Sequence, residues 1–587
     1  MIRRISPLAL SLLSLSALLV SPVFSQTKPS TQVPAESRAD ANAIVNQLLR
    51  QGKIIRSSSV KRGMRGVARS VFQGTKIEEF PIEVLGVLSR VQGGSDLVLI
   101  KVLGGPVVKR QSGIIAGMSG SPVYINGKML GAIAIGWGFP KEPIGGVTPI
   151  TDMILTSLPD PARRKTVSPS GATSPAPAPE KANAPGTTGA PVEAYLPKKP
   201  LYIAGRKIAR VEVSRDRKRL ALAPGRDGSV MTMRPTTTML QLSGFSPAAL
   251  PMLRRAYEPY GIEPVIGPAS KKTNVKTPPF IPGGAIGVQM VSGDMDQTAV
   301  GTITFRWGNR ILAFGHPMFG QGATSLPMTA SFVHEIFPSY QRSFKLASPI
   351  KVVGALQQDT QFAVGGTIGM VADTIPMTVS VRQADRQIAK TYRVRVMKDP
   401  VLTPILMGGV ATEAIETSLG QTSDKMVRVG MRLEIDGAAP IVRRNYLYSR
   451  DVVTGAALAD FGQSLALTQM NEFARGSIRR VDLDVSVEPV RKTARIKSLF
   501  ADRNKAKAGE SVRVNVVLEP SDTPGRTVTR TFTFQVPEDA PTGNMRIAAA
   551  SASNYWAMQV RVGAAPPDPT NLKELVDAWG KIGAANT

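Results

Sequence analysis

The 587-residue chain has no cysteine, which excludes disulfides, thiolate nucleophiles and cysteine-ligated zinc together. Stability has to come from packing. Histidine is almost as scarce, with only His316 and His334, so a centre built on several imidazoles would consume both, and neither a metal nor a cofactor is expected. His334-Glu335 opens like a zincin helix, but the position four residues on is Pro338, which removes the second ligand and resists helix. Aromatic residues make up 5% of the chain and no nucleic-acid motif is visible, so nucleic acid is not expected as a partner. Acidic residues number 43 against 72 basic ones, a formal charge of +29. Such a surface attracts anionic polymers over a screening length of about 10 Å, which makes an anionic envelope polymer a candidate partner.

Long apolar runs are also missing, except at the start. Arg3 and Arg4 precede an apolar stretch from Leu8 to Val20, followed by Val23-Phe24-Ser25 before Gln26. This is the pattern of a secretory signal peptide over residues 1–25. It is short for a transmembrane helix of about 20 residues, and an uncleaved anchor is the alternative. The expectation is an exported protein, periplasmic, cell-envelope or secreted, with no stable membrane span after signal removal.

What fills the rest is mainly β pattern. Residues 36–158 read as one β domain, entered through helical spacing at Ala41, Ile44, Val45, Leu48 and Leu49. Leu97-Val98-Leu99-Ile100-Lys101-Val102 is nearly continuous in apolar residues and so is predicted to be buried on both faces. Val123-Tyr124-Ile125 and Lys128-Met129-Leu130 flank Asn126-Gly127, whose tolerance of positive φ predicts a hairpin turn. Residues 159–200 are dominated by Pro, Ala, Ser, Thr and Gly and read as a disordered linker. A second β region covers 201–396, with a hairpin around Trp307-Gly308-Asn309. A mixed α/β extension covers 397–484 and includes a helix over Leu402–Leu419. Alternating strands over 485–570 suggest an immunoglobulin-like β-sandwich, and 571–587 a C-terminal helix and tail.

The chemistry concentrates in Gly117-Met118-Ser119-Gly120-Ser121-Pro122. A nucleophilic serine needs its hydroxyl on a tight turn beside backbone N–H groups that can hold an oxyanion, and flanking glycines permit that shape. Ser119 would attack, and the amides of Gly117 and Ser119 would face the developing charge. A Gly/Ser turn between strands can equally be only a turn.

Ile77-Glu78-Glu79-Phe80-Pro81-Ile82-Glu83-Val84, Gly113 through Pro122, and Asn126-Gly127-Lys128-Met129-Leu130-Gly131-Ala132 together resemble the serine-bearing half of the SpoIVB (sporulation stage IV B) peptidase family. The resemblance covers residues 64–153. It implies chymotrypsin-like β-barrel peptidase regions, a protein or peptide substrate, and Ser119 as nucleophile. A second likeness, Gly301-Thr302-Ile303-Thr304-Phe305 followed by Leu312-Ala313-Phe314-Gly315-His316, implies His316 as general base. Elimination points the same way, because His334 lies in an apolar stretch suited to a structural histidine. The order is permuted relative to the family, since here the serine half comes first. Where the family's aspartate would stand, this chain has Gly104-Gly105. Asp96 is taken as the substitute, with Asp294 and Asp359 as alternatives. The expected function is therefore an exported serine endopeptidase, and the competing class is a catalytically inactive peptidase-like envelope scaffold or binding protein.

Overall fold

A computed structural model describes residues 35–92, 95–136, 142–158, 193–195, 201–203, 206–213, 230–235, 238–268, 275–339, 342–419, 424–450, 453–469, 471, 473, 477–551 and 569–581. The signal pattern and nearly all of the Pro/Ala/Ser stretch lie outside these residues. The described chain is mainly β, as the patterning predicts, and divides into two compact units. One contains Gln26–Thr374 with Met397–Asp399, and the other Ile375–Val396 with Pro400–Thr587.

The first unit contains two closed rings of hydrogen-bonded strands. Strands β1 (Arg65–Gln73), β2 (Lys76–Gln92), β3 (Ser95–Val102), β4 (Pro122–Ile125), β5 (Lys128–Gly136) and β6 (Ile144–Pro149) pair in the order β4-β1-β2-β3-β6-β5, and β5 pairs back onto β4. Every pairing is antiparallel. The result is a six-stranded barrel, which leaves no open edge. Asn126 and Gly127 take φ of 49° and 74° between β4 and β5, the hairpin turn their identities predict. Leu97, Val98, Leu99 and Ile100 are each no more than 1% exposed, so β3 is buried on both faces as its apolar run requires.

The second ring is made by β7 (Ala285–Gly293), β8 (Asp296–Trp307), β9 (Arg310–Ala313), β10 (Gly322–Phe337), β11 (Phe344–Asp359) and β12 (Val364–Ile368). Its order is β8-β9-β12-β11-β10-β7, closed by a β7–β8 pairing, and it too is antiparallel throughout. The β8–β9 hairpin turns at Gly308-Asn309, with Trp307 opposite Arg310.

Shared cores join the two barrels. Val71 of β1 packs with Ala285, Val300, Val333 and Ala347 of the second barrel. Two helices, α1 (Ala35–Arg50) and α2 (Ile150–Ser157), bring Ile44, Leu48, Ile150 and Ile154 against Met129 on one side and Phe305, Leu312 and Phe362 on the other. Burying this apolar surface, at roughly 25 cal/mol per Å², is what keeps the barrels side by side.

In the second unit, β13 (Thr374–Gln383), β15 (Lys425–Ile435), β16 (Ile441–Ser449) and β17 (Ile478–Glu488) pair in the order β13-β17-β15-β16; β14 spans Ile388–Met397. Helices α3 (Leu402–Leu419) and α4 (Val453–Gln469) pack on each other, and α3 has the bounds its apolar spacing predicts. Where alternation suggests an immunoglobulin-like sandwich, the described residues form one three-stranded antiparallel sheet of β18 (Ala494–Ala501), β19 (Ser511–Pro520) and β20 (Val528–Gln535). Val512, Val514 and Val536 form its small core. The C-terminal helix α5 spans Leu572–Lys581.

Candidate active site

Ser119 lies near the end of a looping segment, residues 113–121, that leads into β4. Two glycines set its shape. Gly117 has φ of 98° and Gly120 φ of 94°, values that L-residues with a Cβ adopt only under strain. At Gly120 a Cβ would also lie 2.0 Å from the Thr302 carbonyl oxygen and 2.5 Å from the Phe314 nitrogen. This is where the turn presses against the second barrel, and only a bare backbone fits.

Hydrogen bonds then fix the turn from both sides. From its own barrel, Gly120 N–H donates to the Ile133 carbonyl at 2.8 Å and Ile133 N–H to the Ser121 carbonyl at 3.0 Å. From the second barrel, Thr302 N–H donates to the Ser119 carbonyl at 2.8 Å, and the Thr304 hydroxyl to the Gly120 carbonyl at 2.7 Å. Ala116 and Phe344 form a parallel bridge, with Ala116 N–H donating to Ser343 O at 2.9 Å and Lys345 N–H to Ala116 O at 3.0 Å. The N–H groups of Ala116, Met118, Gly120 and Ser121 are thus engaged within the protein.

His316 follows β9 in a second tight turn, with Phe314 and Gly315 at φ of 69° and 72°. The Thr148 hydroxyl, from the serine-bearing barrel, donates to the Gly315 carbonyl at 2.7 Å. This places His316 Nε2 3.0 Å from Ser119 Oγ, although 197 residues separate the two. Both are nearly enclosed, at 2% and 3% exposure. The other ring nitrogen, Nδ1, lies 2.8 Å from the Pro317 carbonyl, and the Phe314 ring meets the imidazole edge-on at 6.1 Å.

The three acids named from the sequence take different places. Asp96, near the start of β3, accepts the Ser57 hydroxyl at 2.8 Å. Asp294 lies in the β7–β8 turn. Asp359, at the end of β11, is buried and receives the N–H groups of Met318, Phe319 and Gly320 at 2.8, 2.6 and 2.9 Å. Those residues directly follow His316-Pro317, so Asp359 clamps the histidine loop by its backbone. Burial raises its pKa above the ordinary carboxyl value, and the N–H donors counter part of that rise. His334 stands on β10, 2.9 Å from the Ser348 hydroxyl and packed against Phe332.

Two participants went unread in the sequence. The Pro317 carbonyl is a main-chain group, which residue type does not signal. Lys345 sits in an apolar alternation, Phe344-Lys345-Leu346-Ala347, where a lysine reads as one exposed position of a strand; in the fold it is 1% exposed.

No curated protein and no solved structure matches the chain. A family profile does, over residues 34–147, which include Ser119 and all of the first barrel except the end of β6; His316 lies outside the match. Over that segment the chain is similar to the SpoIVB peptidase S55 family, the one its serine motif resembles.

Proposed function

We propose that the chain is an exported serine endopeptidase of the SpoIVB type that hydrolyses peptide bonds through an acyl-enzyme on Ser119. The observation that carries this reading is the 3.0 Å separation of Ser119 Oγ and His316 Nε2, within the roughly 2.6–3.2 Å reach of proton transfer. The tautomer follows from the second contact. A carbonyl oxygen only accepts, so the Pro317 carbonyl selects the imidazole that carries its proton on Nδ1. That leaves the Nε2 lone pair facing the serine hydroxyl.

As Oγ bonds to the scissile carbonyl carbon, its proton passes to Nε2. The carbonyl oxygen takes the electron pair and is held by the amides of Gly117 and Ser119. Collapse breaks the C–N bond, and the amine leaves with the proton from Nε2. Water then repeats the sequence on the ester, releasing the acid and restoring Ser119. In this reading the Pro317 carbonyl, held by the loop that Asp359 clamps, takes over the orienting role for which the sequence suggests Asp96.

Fluorophosphonate labelling tests the assignment. Ser119→Ala is expected to abolish labelling while leaving the circular dichroism spectrum unchanged, and labelling that survives would reject Ser119. Export rests on the N-terminal pattern. Sequencing the N-terminus of the protein from cell fractions is expected to find Gln26 or a neighbour outside the cytoplasm, whereas Met1 on cytoplasmic protein would reject it.

A further inference from the structure

Behind the nucleophile turn lies a lysine that the chemistry above does not use. Lys345 is 1% exposed and forms no ion pair among the described residues. Its Nζ donates to the Ser70 hydroxyl at 2.8 Å and approaches the Thr302 hydroxyl at 3.5 Å, 5.9 Å above the Phe72 ring. The Ser121 hydroxyl also donates to Ser70, at 3.0 Å. Hydroxyls surround the amine where a buried ammonium would call for a carboxylate. Burial accordingly lowers its pKa to about 7.

Every part of this residue addresses the same few atoms. Its backbone N–H donates to the Ala116 carbonyl at 3.0 Å. In a trans peptide the C=O and N–H point in opposite directions, so this bond turns the Gly117 N–H away from β11. Its aliphatic stem lies along Gly117, where an added Cβ would come within 3.1 Å of Lys345 Cδ. Its tip reaches Thr302, whose hydroxyl donates to the Gly117 carbonyl at 2.9 Å and whose N–H donates to the Ser119 carbonyl at 2.8 Å.

We infer that Lys345 is a positioning residue of the nucleophile turn: reaching over from the histidine-bearing barrel, it fixes the Gly117 peptide in the orientation that presents its amide beside Ser119. The catalytic consequence rests on the peptidase reading; the structural one does not. Lys345→Met keeps the stem and the main-chain bond to the Ala116 carbonyl and removes only the Nζ hydrogen bonds, which separates the amine's part in positioning from space-filling.

Two readouts on the full-length chain test it. Amide hydrogen exchange in residues 113–121 of Lys345→Met is expected to rise by about tenfold, the loss of roughly one hydrogen bond's net worth, with β2 and β3 unchanged. Fluorophosphonate inactivation is expected to show the limiting rate constant reduced by about tenfold or more with half-saturation unchanged, a split that overall loosening would not produce. Thr302→Val removes the hydroxyl that joins Nζ to the Gly117 carbonyl and leaves Lys345 itself in place. It should reproduce the exchange change, and it decides the matter if Lys345→Met does not fold. Unchanged exchange at 113–121 in the variant overturns the inference whether or not the wild type is labelled. A loosened turn in a chain whose wild type never reacts upholds the positioning and removes the peptidase reading instead.

Discussion

Lys345 gives the account a signature in stability as well as in reactivity. Its folded pKa of about 7 lies below the ordinary lysine value of 10.5, so between those pH values the unfolded chain binds the additional proton. Stability therefore rises as pH increases from about 7 toward 10.5 and is flat with respect to this group below 7. Denaturant unfolding of the wild type at a series of pH values should show that rise, with a slope of at most about 1.4 kcal/mol per pH unit from this group. In Lys345→Met the contribution should vanish; an identical slope in the variant would mean that the amine is not held neutral.

Among the elements, the two turns in and after the serine motif separate a local requirement from a tertiary one. Gly127 and Gly120 both have positive φ. Nothing lies within 4 Å of a Cβ added at Gly127, whereas one at Gly120 would overlap the Thr302 carbonyl. Gly127→Ala should therefore cost only the backbone strain of about 1–2 kcal/mol and leave labelling intact. Gly120→Ala should cost at least about 3 kcal/mol, because it also parts the barrels at the site. Equal costs in urea unfolding would contradict the close approach at Gly120. The same contrast shows what was legible in advance. The Asn126-Gly127 hairpin, the doubly buried β3 and helix α3 were readable because their signals are local, namely turn chemistry, an apolar run and helical spacing. Ring closure was legible only through the family resemblance, which implies β-barrels, because β4 and β5 also hydrogen-bond to strands whose partnership no short window encodes. The sandwich suggested for residues 485–570 rests on alternation alone; the described residues of that segment contribute one three-stranded sheet.

At the scale of the whole first unit, the serine and the histidine belong to different barrels. Their meeting depends on Thr302 and Thr304 bonding to the nucleophile turn and on Thr148 bonding to the histidine turn. Ser119 and His316, which lie 3.0 Å apart, were the pair that the serine motif and the family resemblance imply, with only two imidazoles to choose from. The atom that faces Nδ1 was not legible, because it is a main-chain oxygen, which residue type does not signal. Asp359 entered only as an alternative, and its contacts are to backbone N–H groups after the histidine. The central claim is that these two barrels jointly build one hydrolytic centre. Mass-spectrometric mapping of fluorophosphonate-treated wild type and His316→Gln tests it most directly. The account predicts a single adduct on Ser119 in the wild type and a labelling rate lower by about 10²–10⁴-fold in the variant. An adduct on another serine, or a variant that reacts as fast as the wild type, would contradict it.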